Sequence, residues 1–154
     1  MRITAKADYA VRAAVELAAT SSPSGRPVKG EHLAAAQEIP HKFLENILAD
    51  LRRAGLVRTR RGADGGYALT RPATDITVAD VLRAVEGPLA AVQGTRPEAL
   101  RYPGAAARLA EVWVALRANL RAVLETVSVA DVAAGALPDR VVALAAAPGA
   151  WEPH

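Results

Sequence analysis

Ile39-Pro40-His41-Lys42-Phe43-Leu44-Glu45-Asn46-Ile47-Leu48-Ala49-Asp50-Leu51-Arg52-Arg53-Ala54-Gly55, followed without a gap by Leu56-Val57-Arg58-Thr59-Arg60-Arg61-Gly62-Ala63-Asp64-Gly65-Gly66-Tyr67-Ala68-Leu69-Thr70, is the stretch that decides the fold. Its first half has a helical period. Leu44, Ile47, Leu48 and Leu51 recur at i, i+3, i+4 and i+7, which makes one buried stripe. Pro40 falls at or near the first turn, where a missing N–H costs nothing, and Gly55 ends the helix as a left-handed cap. At 100° per residue Lys42, Asn46, Ala49 and Arg53 lie opposite the stripe, with Glu45 on the flank. The second half changes period. Leu56 to Arg61 and Tyr67 to Thr70 read as short strands around a glycine-rich tip, Gly62 to Gly66, with Arg58, Arg60 and Arg61 crowding one side of it.

Working outward, Thr4 can cap a first helix over residues 5–20, where Ala10, Ala13, Ala14, Leu17 and Ala18 recur at helical spacing. Ser21 to Pro27, with two Pro and a Gly, is a loop. A short helix follows from Glu31 to Gln37, its start weakly signalled by Lys29-Gly30. Beyond the hairpin, Thr77-Val78-Ala79-Asp80 is a capping-box-like start for a helix ending at Gly87-Pro88. Residues 88–103 are irregular. The longest helical pattern covers about residues 104–127, where Leu109, Trp113, Leu116, Leu120, Val123 and Val127 step as a coiled-coil seam. Ser128-Val129-Ala130-Asp131 repeats the capping-box pattern before a last short helix closed by Gly135, and the Ala- and Pro-rich remainder is expected to fray. The expected fold is mainly α with a small β-hairpin wing: a winged helix-turn-helix domain (1–87), a loop (88–103), a dimerisation helix with a short companion (104–137) and a tail (138–154).

Charge is unevenly spread. Residues 1–72 carry 12 Lys and Arg against 7 Asp and Glu, net +5, and residues 73–154 carry 7 against 9, net −2. A basic front half suits a module that binds a polyanion. With no cysteine among 154 residues, disulfides, thiol catalysis and cysteine-ligated metal sites are excluded. Neither a signal peptide nor a membrane span is legible, so a cytoplasmic protein is expected.

Three helices followed by a hairpin is the order of a winged helix-turn-helix, whose recognition helix enters the major groove of double-stranded DNA. Lys42, Glu45, Asn46 and Arg53 offer suitable chemistry: Asn pairs with adenine, Glu accepts from cytosine, and Lys or Arg meets guanine or phosphate. Alone, such a face reads first as a solvated helix surface; the adjacent basic hairpin reverses that preference in favour of DNA. Gly65 and its neighbours let backbone approach the duplex, and Arg61 is placed to enter a narrow minor groove. A phosphate-binding loop would need Lys-Ser/Thr and a helix after the glycines, whereas Tyr67-Ala68-Leu69 is strand. A winged helix used for protein contact is the alternative function, but it calls for an acidic or apolar face. Histidines at 32, 41 and 154, without cysteine or paired carboxylates in a motif, leave nothing to carry catalysis.

Met1-Arg2-Ile3-Thr4 with Asp8-Tyr9-Ala10-Val11-Arg12, Ile39-Pro40 with Phe43-Leu44-Glu45, and Leu51-Arg52-Arg53-Ala54-Gly55-Leu56-Val57 resemble the Rrf2 family of bacterial regulators. So do the wing Arg61-Gly62-x-x-Gly65-Gly66-Tyr67-x-Leu69 and the segment Ile76-Thr77-Val78-x-Asp80-Val81 with Ala84-Val85-Glu86-Gly87. The resemblance covers roughly residues 1–135. It implies a homodimer paired through the long helix, a palindromic operator, base contacts from Lys42, Glu45 and Asn46, and minor-groove insertion of Arg61. A repressor is the expected activity. Cluster-sensing members carry three cysteines before the dimer helix, and some add a carboxylate at the position of Asp8. The stretch Ala90 to Ala107 has none, so cluster sensing does not carry over, no cofactor is expected, and Asp8 reads as a surface or ion-pair residue. Arg96, Arg101 and Tyr102 are candidates for an anion or metabolite site, against the plain reading of an exposed loop. Some cysteine-free relatives are regulated by a partner protein, which the resemblance leaves as the other route. His32 and His41 read as surface residues ahead of metal or haem ligands.

Overall fold

The computed structural model describes residues 2–20 and 26–153. Most of the expected loop from Ser21 to Pro27, and His154, lie outside them. Thr4 starts the first helix: its Oγ1 accepts the Ala7 N–H at 3.1 Å, capping α1 (Ala5–Thr20). The same hydroxyl donates to Glu86 at the end of α4 (Val78–Glu86), tying two helix ends together. α1 buries Ala7, Ala10, Ala13, Ala14 and Leu17. These small side chains let neighbouring helices approach closely, and α1 is the central strut against which α2, α3, α4 and α6 pack.

α2 (Gly30–Gln37) begins at Lys29 with no side-chain cap, as its weak signal implies. It ends at Glu38, which takes the left-handed conformation (φ 52, ψ 41), and the Ile39 N–H then closes on the Ala34 carbonyl at 2.9 Å. Pro40 caps α3 (His41–Arg53), and the helix stops at Ala54 with Gly55 left-handed (φ 75). Leu44, Ile47, Leu48 and Leu51 are all buried, joined in one core by Leu17, Leu33, Ile76, Val81 and Val129. At about 25 cal/mol per Å² of apolar surface removed from water, this cluster is the main force holding α3 in place.

Strands β1 (Val57–Arg60) and β2 (Gly66–Leu69) pair antiparallel, with Val57 opposite Leu69 and Arg60 opposite Gly66. Val28 adds a third line of pairing: it exchanges both backbone hydrogen bonds with Tyr67, at 2.7 and 2.8 Å. The two capping-box sequences meet side by side. Thr77 and Ser128 each accept from the N–H three residues on, and the Asp80 and Asp131 carboxylates accept from the cap N–H groups. A backbone bridge joins Thr77 to Ser128, with Val78 N–H on the Val127 carbonyl and Val129 N–H on the Ile76 carbonyl, each at 2.9 Å.

Three expectations change here. The long helix is shorter than its seam: α5 runs Leu109–Leu124, because Gly104 (φ 56) and a one-turn 3₁₀ helix at Gly104–Ala106 interrupt the expected start. Helix α6 (Val129–Ala134) does not accompany α5 but packs on α1, with Val129 fully buried, so it belongs to the winged-helix core. The expected frayed tail contains α7 (Asp139–Ala145), started by Pro138 and Asp139. Trp151 donates its indole N–H to the Ala145 carbonyl at its end. Among the described residues no helix is long and apolar enough to cross a membrane.

Candidate nucleic-acid interface

Burying one stripe of α3 leaves Lys42, Glu45, Asn46, Ala49 and Arg53 exposed on the other side. Lys42 and Asn46 have no side-chain partner among the described residues, so their hydrogen-bonding heads are uncommitted. Glu45 lies 3.8 Å from the His41 ring, a contact that is ionic only when the imidazole is protonated. Arg53 differs. Its guanidinium bonds Asp50 at 2.7 Å, and Asp50 also holds Lys6 of α1 at 2.7 Å. The Lys6 hydrogen bond, aided by Arg53 and opposed by burial, holds the Asp50 carboxyl below the usual carboxylate range. The Lys6–Asp50 pair fastens the end of α3 to α1, and Arg53 adds an intrahelical bond to Asp50 while its side chain stays exposed.

The helix-turn-helix corner is braced by contacts of which the sequence pattern shows only the Asp8 ion pair. Arg12 donates to the Gln37 backbone carbonyl and to Asp8 (3.2 Å), and lies 5.2 Å from the Tyr9 ring centre. Gln37 in turn donates to Glu16 at 2.7 Å, and Tyr9 meets Phe43 edge-on at 5.7 Å. Asp8 is thus one half of an ion pair with Arg12. The i, i+4 spacing of Asp8 and Arg12 was the available signal.

In the wing, strand register places Arg58 and Arg60 on one face, with Arg61 the first residue of the tip beyond them. All three are exposed and without side-chain partners among the described residues. Arg58 and Arg60 share a strand face by alternation, and Arg61 follows directly where the strand ends. Gly65 is a correction. It is buried by the tip itself, where a Cβ would lie 2.2 Å from the Arg60 carbonyl oxygen, so it shapes the turn and presents no surface to DNA. Gly66 (φ 149) is required for a second reason: a Cβ there would lie 2.4 Å from the Val28 carbonyl oxygen. Arg26 and Lys29 line a shallow cleft with the tip residues Ala63 and Asp64. These two cations extend the basic surface, and their distance in sequence from the wing hid them.

The structure divides the expected seam. Leu120 and Leu124 turn inward, lining a cavity of about 210 Å³ with Ile3, Ala7 and Leu82. Trp113 donates its indole N–H to the Tyr102 hydroxyl at 3.1 Å. Leu116 stays exposed and Val112, one turn earlier, more so; Leu109 and Val123 are half-buried. Val127 drops out of the seam, since it lies beyond α5 and is buried in the chain's own core.

Arg96, Arg101 and Tyr102 are not brought together. Arg101 satisfies its own loop by donating to the carbonyls of Glu98 and Leu100, and Tyr102 is bound to Trp113. Arg96 alone faces a groove against α5. The loop does not fit an iron–sulfur cluster, because its polar side chains are Gln93, Thr95, Glu98, Tyr102 and two arginines, with no thiolate. Among the described residues no group of three His, Asp or Glu side chains is placed to hold a metal ion.

Comparison with known proteins agrees with this geometry. The Rrf2 family, described as iron-dependent transcriptional regulators, matches residues 3–135. A protein of Mycobacterium tuberculosis named as an HTH-type transcriptional regulator, Rv1287, is 54% identical over 145 residues, covering 94% of this chain and 89% of that protein. The solved structure of CymR, the global cysteine regulator of B. subtilis, superposes with a TM-score of 0.72 at 32% identity, covering 88% of this chain and 98% of that one. IscR of T. potens gives 0.70 at 31% identity, covering 88% of each chain. These relatives are regulators rather than enzymes. An exposed recognition helix, a basic wing and matches over most of its length place the chain in the Rrf2 family of DNA-binding transcriptional regulators.

Proposed function

We propose that the chain acts as a homodimer that represses transcription from a palindromic operator and is switched without an iron–sulfur cluster. Lys42, Glu45 and Asn46 read base edges in the major groove, and Arg61 enters the flanking minor groove. Arg58 and Arg60, with Arg26 and Lys29, meet phosphates. The observation that carries this reading is the pairing of an outward helix face whose polar heads are uncommitted with an arginine-bearing tip on the same winged unit. Each neutralised phosphate releases counterions, so affinity falls steeply with salt.

Dimerisation rests on α5. The helix has no fully buried residue in the single chain, and Val112 and Leu116 are 55% and 37% exposed. Leu109, Leu116 and Val123, seven residues apart, share one edge of the stripe, and with Val112 they form the face offered to a second copy. Two-fold symmetry of the protein then implies an inverted repeat in the operator. The missing thiolates support a signal other than a cluster, either a small molecule or a partner protein. Genome-wide mapping of binding sites tests the proposal. An inverted repeat shared by the bound promoters is expected, and bound sites without any shared sequence would overturn it.

A further inference from the structure

Between α4, the loop after it and α5 lies an open groove of about 480 Å³. Four guanidiniums line it: Arg83 from α4, Arg96 from the loop, and Arg117 and Arg121 from α5. Two carboxylates answer them. Glu98 accepts from Arg117, and Glu125 accepts from both Arg83 and Arg121. Both acids are held below their usual range and are ionised at neutral pH. For Glu98 the main cause is a backbone hydrogen bond, helped by Arg117 and by the charge of Arg96, and for Glu125 it is the bond from Arg83. The four arginines against these two acids leave a local charge of +2, in a half of the chain whose overall charge is −2.

The donors exceed what the protein uses. Each guanidinium carries five N–H groups. Arg117 and Arg121 spend one each on these carboxylates, and Arg83 adds only a 3.9 Å approach to Asp80, which already serves Arg71 and a capping box. Arg96 makes no hydrogen bond or salt bridge among the described residues, and its charge acts on Glu98 only across space. Its backbone is nevertheless fixed, between a Val92–Thr95 bridge and the buried Pro97. An arginine whose N–H groups are all unbonded, held by an ordered loop at the rim of a cationic groove, is a preformed half of a charge-assisted contact.

We infer that this groove binds a small molecule carrying two or more negatively charged oxygens, bridged between Arg96 of the loop, Arg83 of α4 and Arg117 and Arg121 of α5. Its volume matches a metabolite-sized ligand, which for pockets falls in the range of about 300–1,000 Å³. Phosphoryl and carboxylate groups share the chemistry the guanidiniums recognise. Because α4 also packs on α1 and α3, occupancy ties the scaffold of the recognition helix to α5.

The site is defined without DNA, so it is tested without DNA, by titrating the full chain calorimetrically with sodium pyrophosphate and with citrate at about 0.15 M salt. Saturable binding of at least one is expected: pyrophosphate alone marks a phosphoryl ligand, citrate alone a polycarboxylate, and both a site that selects charge. Arg96→Gln, which breaks no hydrogen bond or salt bridge among the described residues, should weaken binding roughly tenfold or more, as should Arg121→Gln, while Arg61→Ala in the wing leaves it unchanged. The inference is overturned if neither anion binds saturably up to about 10 mM, if both groove variants bind like wild type, or if Arg61→Ala loses as much affinity as they do.

Discussion

Helices α3 and α5 are both amphipathic, yet they complete themselves in opposite ways. α3 buries four large aliphatic side chains within its own chain and turns a polar, largely uncommitted face outward. α5, three residues longer, buries none fully and leaves Val112 and Leu116 in the open. What each helix exposes indicates what it waits for. A face of Lys, Glu and Asn asks for hydrogen-bonding edges and phosphates, whereas an aliphatic strip asks for another aliphatic strip.

The sharpest way to break the comparison is to remove a side chain from each helix. Ile47→Ala empties a fully buried site and should cost about 2–5 kcal/mol of unfolding free energy in a denaturant melt. Leu116→Asp should leave the fold of the single chain intact but weaken self-association by about 2 kcal/mol or more, seen by sedimentation as a shift toward monomer. If Leu116→Asp instead unfolds the chain while Ile47→Ala does not, the two helices have been assigned the wrong way round.

Smaller effects refine the polar side. Arg61→Ala should weaken DNA binding by about 1–3 kcal/mol in an anisotropy titration, without lowering the melting temperature. Glu38 occupies a left-handed position that a Cβ disfavours, so Glu38→Gly should stabilise the chain by about 0.5–1 kcal/mol. The smallest effect is the pH dependence of the pin between α1 and α3. Asp50 has a lowered folded pKa, so its contribution is present above the unfolded value of about 3.9 and is lost as pH falls through the lower folded value. Lys6→Met should therefore cost stability at pH 7, under about 1 kcal/mol, and the difference from wild type should shrink in acid. A difference that persisted at low pH would mean Lys6 acts through packing.

Most of the winged unit was legible because its signals are local. The stripe of α3, Thr4, the two capping boxes, Gly55 and the glycine tip each dictate structure within one turn of chain. What stayed hidden depends on contacts distant in sequence. Arg26 and Lys29 join the wing only because Val28 pairs with Tyr67. Arg12 braces the corner by reaching Gln37, and four arginines converge from three elements that share no motif. Val127 was misplaced by extending a regular 4, 3, 4, 3, 4 spacing past the end of its helix. The correcting signal was present: Ser128-Val129-Ala130-Asp131 starts a new helix, and the residue before such a cap is commonly apolar and packed inward. The glycines of the tip suggest close backbone approach to a duplex, and at Gly65 the structure adds a second constraint, the turn's own backbone.

The central claim is that the outward face of α3 and the wing tip form one DNA-reading surface. Its most direct test is the affinity of wild type, Asn46→Ala and Arg61→Ala for a promoter fragment recovered by genome-wide mapping and for a scrambled fragment, across a salt series. Wild type is expected to prefer the promoter fragment, and each variant to lose that preference while staying folded. A wild type that binds both fragments equally, or variants that discriminate as well as wild type, would contradict it.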